Sequence, residues 1–393
     1  VRPHVASRVQ VFTESVIREM TRLCQQHNGI NLAQGFPDFP APAALKEAAC
    51  RAVMADINQY AITWGSVGLR EAIAHKARTF NRIPDVDPQR HVTVTCGATE
   101  AMMATMLSLV NPGDEVIVFD PYYENYGPDA ILSEATLRFV PMEGDDFQFD
   151  PAVLRAAFNE RTRAIVINSP HNPTGKVFTR AELEQIADLC QEFDVLAITD
   201  EIYEHMVYEG EHISIASLPD MAERTVTISG LSKTFAVTGW RLGYAIAPEP
   251  LTNAIRKTHD FLTVGAPAPL QEAAITALNF GPEYYEQLAA SYKARRAVMH
   301  EILTEAGLRP VMPQGAYYMM ADITRYGMTD TEFVTFLIEQ VGVAAVPGSS
   351  FCANPEIGKK FVRFAFPKKP ETLQAARERL VTLPERLPAV AGR

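Results

Sequence analysis

The 393-residue sequence predicts an α/β fold: a large, mostly parallel sheet covered by helices, followed by a smaller α+β domain. Three observations carry that expectation. From residue 91 onward, short apolar, β-branched runs alternate with helical stretches, the texture of parallel strands buried on both faces. Several of these runs end in polar residues with chemical uses, at the strand ends where open α/β sheets place their ligands. Past residue 283 a long helical pattern gives way to shorter strands and helices.

The elements follow in order. Residues 8–27 carry Val11, Val16, Ile17, Met20 and Leu23 at helical spacing, which predicts an amphipathic helix. A loop rich in Gly and Pro follows at 31–40 (NLAQGFPDFP), and 44–55 reads as a helix. Predicted strands cover 91–95, 115–119, 164–168, 195–199, 225–229 and 243–247, with helices over 98–110 and 180–193 among them. A long helix is predicted over 283–306. After it come a strand at 316–321, a helix at 330–340, and strands at 343–346 and 361–366. The implied division is an N-terminal segment, 1–45, serving the small domain and the active site; a large domain, 46–280; and a small C-terminal domain, 281–393.

Composition narrows the class. The chain is 47% hydrophobic and 21% charged, as in ordinary globular proteins. Its 36 basic and 47 acidic side chains give a net charge of −11, which argues against nucleic acid or an anionic membrane as partner. The five cysteines are scattered and include no CxxC pair, so a disulfide framework and a zinc site are not expected, and a reducing cytoplasm is the simplest setting. The first fifteen residues lack the apolar core of a signal peptide, and no run reaches the ~18 apolar residues of a membrane helix.

The chemistry gathers at strand ends. Lys233 lies just beyond the predicted strand 225–229, and Arg241 follows eight positions later. A lysine amine can form a Schiff base with a carbonyl cofactor, and a guanidinium can hold that cofactor's phosphate. Cys96-Gly97-Ala98-Thr99 opens a helix whose N–H groups could bind a phosphate, although an ordinary helix cap would read the same. Asp120-Pro121-Tyr122-Tyr123 offers a ring to stack on a planar cofactor, or simply to pack. Asn172 lies in an Asn-Pro-Thr-Gly turn and could donate to a phenolate oxygen, while neighbouring His171 reads as structural. Asp200, as either helix cap or acid, could pair with a protonated pyridine nitrogen, with Tyr203 three residues on. Arg363 stands alone in an apolar strand, where an internal salt bridge or a substrate carboxylate would satisfy it. One ligand explains all of these groups: pyridoxal phosphate, with an amino acid as its partner.

On these residues the chain resembles the class I/II aminotransferases of the pyridoxal-phosphate fold type I, over nearly its whole length. The carrying motifs are NPTG at 172–175, DEIY at 200–203, SKTFAVTGWRLGY at 232–244 and VRFAF at 362–366, with NPGDEVIVFDPYY at 111–123 and VPGSSF at 346–351. The resemblance implies that Lys233 binds the cofactor aldehyde and then shuttles the proton at the substrate Cα. It implies that Asp200 pairs with the ring nitrogen, that Asn172 and Tyr203 bond the 3′-oxygen, and that Tyr123 stacks on the ring. Ala98, Thr99, Ser232 and Arg241 would hold the phosphate. Arg363 would clamp the substrate carboxylate, with Gly35 lining the same pocket. Tyr60 would reach the phosphate of a neighbouring subunit, so a homodimer with shared sites is implied. Gly230 stands where some relatives carry a serine. Within the family, 31–40 and 212–228 resemble the branch of kynurenine, glutamine and methionine aminotransferases. That branch implies ping-pong transfer from a large neutral or aromatic amino acid, glutamine or methionine to a 2-oxo acid. An aspartate-type aminotransferase and a β-lyase acting on cysteine S-conjugates or cystathionine are the alternatives.

Overall fold

The computed structural model describes residues 4–10 and 14–387. An eight-stranded sheet forms the centre. Its strands are β1 (Val92–Thr95), β2 (Glu115–Asp120), β3 (Thr136–Glu143), β4 (Gln148–Phe149), β5 (Thr162–Asn168), β6 (Leu196–Asp200), β7 (Thr225–Gly230) and β8 (Gly243–Ile246). They lie in the order β1-β8-β7-β6-β5-β2-β3-β4. Five neighbours, from β7 to β3, run parallel. Strand β8 runs antiparallel to both β1 and β7, and the short β4 pairs antiparallel with β3 at the far edge.

Alternate side chains explain why the strands read as near-continuous apolar runs. Ile117, Ile165 and Ala197 pack on one face with Leu183, Ile186 and Leu189 of the helix Arg180–Glu192. Val116, Val166, Ile198 and Val226 pack on the other face, against Ala101, Met102 and Met106 of α1 (Ala98–Leu109). With no face left to water, period-2 alternation of polar and apolar residues vanishes. A second, four-stranded antiparallel sheet is built from Arg309–Pro310, Tyr318–Asp322, Phe361–Ala365 and Val346–Pro347. The N-terminal part joins that region: Ile30–Asn31 pairs in parallel with Val343–Ala344, and Ala365 N–H donates to Leu32 O.

Three sequence expectations need correction. The single helix over 8–27 is broken: a helical turn at Ser7–Gln10 is followed by extended Ser15 and a helix at Val16–Gln26. Ser15 caps nothing; its hydroxyl is bonded to Glu124 instead. Val11 lies outside the described residues. The helix over 330–340 is α only at Asp330–Phe336, and Leu337–Val341 widens to a π turn ending at left-handed Gly342. The sequence reading also missed β3 and the helices Val67–Thr79, Glu249–Thr263, Ala268–Leu278 and Pro370–Leu380.

Candidate active site

The C-terminal ends of β5, β6 and β7 lie side by side, and each hands one functional side chain to a common cavity: Asn172, Asp200 and Lys233. Ala98 and Thr99, from the start of α1, close one side of the same cavity with Ser232 and Arg241. Tyr123 and Tyr203 complete the predicted lining.

The phosphate-sized end depends on glycine. Gly97 precedes α1 with φ 88°, and a Cβ there would lie 2.5 Å from Arg241 Nη2. Only a residue without a side chain lets the guanidinium approach the helix N-terminus, where unpaired N–H groups and the helix dipole favour an anion. Arg241 is itself left-handed, at φ 53°. Gly230 pairs with Gly243 across β7 and β8, and a Cβ on it would meet Leu242 O at 2.7 Å. The backbone of β8 therefore occupies the space that a serine at this position would need.

At the opposite end, Asp200 Oδ2 accepts from Tyr126 Oη at 2.9 Å and Oδ1 from Ile202 N at 3.3 Å. Burial raises the carboxyl above its ordinary range, while these bonds and the Lys233 charge pull it back. Between the two ends sits Lys233, whose Nζ donates to Gly35 O at 3.2 Å. Burial draws its ammonium below the ordinary lysine range, with Arg241 and Arg363 acting in the same direction. A lysine that gives up its proton easily is what amine chemistry requires.

Arg363 is 0% exposed. It donates through Nη1 to Asn172 Oδ1 at 2.7 Å and through Nη2 to Ala33 O at 3.0 Å, and its Nε has no partner. The rings of Tyr318 and Phe351 lie 4.1 and 4.5 Å from its guanidinium carbon. No acidic residue among the described ones pairs with it, so the salt-bridge alternative is not realised. Its hold on Asn172 Oδ1 leaves the amide nitrogen as the free donor end of that side chain. Gly35 does not line the Lys233 cavity but touches its members: its carbonyl also accepts from Tyr317 Oη at 2.6 Å, and a Cβ on it would sit 2.1 Å from Tyr318 Oη. Tyr60 lies away from the cavity and is 89% exposed. His171 is buried against Thr174 Oγ1, and burial pushes its ring down to about 3, so it stays neutral and structural.

Sequence reading missed Tyr126, Asp129, Asn168 and Tyr318. Asn168 Nδ2 donates to Asp200 O and its Oδ1 accepts from Asn172 N, which locks the Asn172 turn to the end of β6. Tyr318 Oη and Tyr203 Oη lie 2.9 Å apart, linking the Asp200 side of the cavity to Arg363. Tyr126 and Asp129 carry one sequence signal, successive three-residue steps after Tyr123.

These residues fit pyridoxal phosphate. A buried carboxylate for a ring nitrogen, an amine of lowered basicity and an anion cradle that a Cβ would fill occur in one cavity, and a lone buried guanidinium adjoins it. Fold and site together fit an enzyme that holds a phosphate-bearing cofactor beside a buried lysine. The comparisons then give the family. The model of aminotransferase class I and II matches residues 27–380. The methionine aminotransferase of Escherichia coli K12 is 38% identical over 377 residues, covering 95% of this chain and 97% of that protein. Human kynurenine–oxoglutarate transaminase 1 is 36% identical over 401 residues, with 92% and 94% covered. The solved N-succinyldiaminopimelate aminotransferase of Mycobacterium tuberculosis superposes with a TM-score of 0.93 at 40% identity, covering 96% of this chain and all of that one. The chain belongs to the class I and II aminotransferases, and it is a pyridoxal-phosphate-dependent enzyme acting on amino acids and 2-oxo acids.

Proposed function

We propose that the enzyme moves the amino group of a large neutral or aromatic L-amino acid, glutamine or methionine to a 2-oxo acid in a ping-pong cycle. Arg363 carries this reading, as a buried cation without an acidic partner, bonded to Asn172 at the edge of the Lys233 cavity. An α-carboxylate is the anion that would complete it. The cations lining the cavity are Lys233 and Arg241, both already engaged, so a second carboxylate on the donor has no dedicated partner there. That favours a neutral side chain over an aspartate-type donor. The names of the methionine and kynurenine relatives support the same choice.

The residue roles are part of the proposal. Pyridoxal phosphate, when bound, supplies the electron sink that takes up the charge left as the Cα–H bond breaks. Asp200 would hold the ring-nitrogen end, Asn172 and Tyr203 the 3′-oxygen, Tyr123 the ring face, and Ala98, Thr99, Ser232 and Arg241 the phosphate. Lys233 Nζ would take the Cα proton and return it, as general acid–base chemistry requires. Arg363 fixes the substrate's orientation and thereby which bond to Cα is broken.

We further infer a homodimer. Tyr60 at 89%, Phe261 at 91% and Met54 at 83% exposure are too apolar to favour water, and they have Ile62, Trp64 and Leu262 as exposed neighbours in sequence. His259 Nε2 to Thr63 O at 2.9 Å ties the 60–64 and 259–262 segments together. A second copy laid on this face would bring Tyr60 to its phosphate end. The pairing of Ile30–Asn31 with Val343–Ala344 supports reading 1–45 with the small domain 281–393, apart from the large domain 46–280. Free Cys24, Cys50, Cys96, Cys190 and Cys352 support a reducing, cytoplasmic setting.

The test follows the absorbance of the cofactor-loaded protein as single amino acids are added without an acceptor. Kynurenine, phenylalanine, glutamine and methionine are expected to change the spectrum, and aspartate to leave it. A response to aspartate alone would overturn the donor class. A response confined to N-succinyldiaminopimelate would move it to the donor named for the M. tuberculosis relative. Release of pyruvate and ammonia from a cysteine S-conjugate would favour the β-lyase.

A further inference from the structure

Tyr126 and Asp129 stand one turn apart on the helix Tyr126–Leu132, here α2, and both line the cavity that Asp200 closes. Tyr126 is accounted for by its bond to Asp200. Asp129 is not. It is 3% exposed, and its Oδ2 is buried without a hydrogen-bond partner among the described residues. A carboxyl in that place costs free energy that an apolar side chain would avoid.

Its surroundings explain why it stays. Across the cavity lies Asp200, at the end of β6. Tyr123 and Tyr126 face the cavity from its own side, and Lys233 and Arg241 belong to other walls of it. The neighbouring α1 offers Thr99 and Met102, which do not titrate, and β3 packs Leu137 and Phe139 in the same cluster as α2. The one charge that shifts Asp129 is Asp200: burial first, then that like charge, raise its carboxyl to about 8. Tyr126, Ile202 and the Lys233 charge favour the Asp200 carboxylate, and no such group favours a charged Asp129.

We propose that Asp129 is a positioning residue that acts through Asp200, a reserve carboxyl that ionises when the cofactor's ring nitrogen is protonated and so doubles the negative charge at that end of the site. This rests on the reading of Asp200 given above. Without a cation beside it, Asp129 keeps its proton and spares Asp200 a like-charged neighbour. A protonated ring nitrogen reverses the balance, and the Asp129 proton leaves for solvent. The two carboxyls titrate as a pair, and the ring nitrogen holds its proton to higher pH than one carboxylate would allow.

The experiment is a pH titration, by absorbance, of the cofactor-loaded wild type, Asp129→Asn and Asp200→Asn, with pyridoxal phosphate affinity measured alongside. The isosteric Asp129→Asn change keeps shape and removes charge. Its titration midpoint is expected to fall by about half a pH unit or more, in the same direction as Asp200→Asn and by less. Coincident wild-type and Asp129→Asn midpoints, with Asp200→Asn displaced, would overturn the role of Asp129 alone. An unmoved Asp200→Asn midpoint would overturn the reading of Asp200 and this proposal with it. Thermal unfolding of the cofactor-free proteins separates a structural role. Asp129→Asn is expected to melt no lower than the wild type near neutral pH, and a large fall at every pH would also overturn the proposal.

Discussion

Asp200 and Glu201 are adjacent in sequence, yet they belong to two polar clusters built on opposite plans. Behind the sheet, Glu201 Oε1 accepts from Thr199 and Ser214, and its Oε2 meets Asn81 and His212. Glu204 is equally engaged, with Ser229 on Oε1 and with Asn81 and the Lys76 ammonium on Oε2. Every carboxylate oxygen there has a partner from the chain, and only Asn81 Oδ1 and His212 Nδ1 go without. Glu201, Glu204 and His212 have the spacing of metal ligands, but each glutamate oxygen already holds a partner from the chain. In front of the sheet, the Asp129 and Arg363 side chains keep buried atoms with no partner. A saturated cluster is architecture. A buried cluster left short of counter-charges is a binding site, because each missing partner is one the ligand brings.

Substitutions can break that contrast. Lys233→Ala is expected to remove turnover by about 10³-fold or more while leaving the fold intact, read by single-turnover kinetics beside circular dichroism. Asp200→Ala is expected to cost about 10²-fold or more in rate, with little loss of thermal stability. Arg363→Leu is expected to weaken amino acid binding by about 10²-fold without changing cofactor affinity, seen as a KM effect.

The back cluster should answer in the other currency. Glu204→Gln leaves the buried Lys76 ammonium without its counter-ion and is expected to destabilise by about 3–5 kcal/mol in denaturant unfolding. The two clusters also differ in sign with pH. Burial pushes the Glu204 carboxyl up, but Lys76, His205 and His212 together bring it down to about 2, below the ordinary 4.5. Its contribution is therefore present above that ordinary value and is lost as pH falls toward 2. Asp129, raised from 3.8 to about 8, behaves oppositely: its folded form holds a proton that the unfolded chain releases, so stability falls as pH rises between those values. The smallest expected effect follows: the melting advantage of cofactor-free Asp129→Asn over wild type should grow from about pH 5 to about pH 8.

Much of the front cluster was legible in the sequence, because its residues sit at the ends of apolar strands or in short turn motifs. Strands β5 to β7 and the groups they carry, Asn172, Asp200 and Lys233, are of this kind. Strand β3 was not, since Thr136, Arg138 and Glu143 give it the polar texture of a partly covered strand. Asp129 and Tyr318 escaped for a different reason. Their significance lies in what they fail to bond or whom they meet across the fold, as with Tyr318 and Tyr203, 115 positions apart. Tyr60 was marked by resemblance alone, and its exposed place gives composition nothing to register.

The seam between the chain's two ends has a consequence for biosynthesis. Arg363 bonds to Ala33, Ala365 to Leu32, and Ile30–Asn31 to Val343–Ala344, so the strand Ile30–Asn31 stays unpaired until synthesis has passed residue 344. The central sheet, by contrast, is complete at Ile246. Folding proceeds as the chain emerges, so Gly97, Ser232 and Arg241 are all made well before Arg363. A chain cut short between Ile246 and Arg363 would carry Lys233 and Arg241 without the buried guanidinium that bonds Asn172.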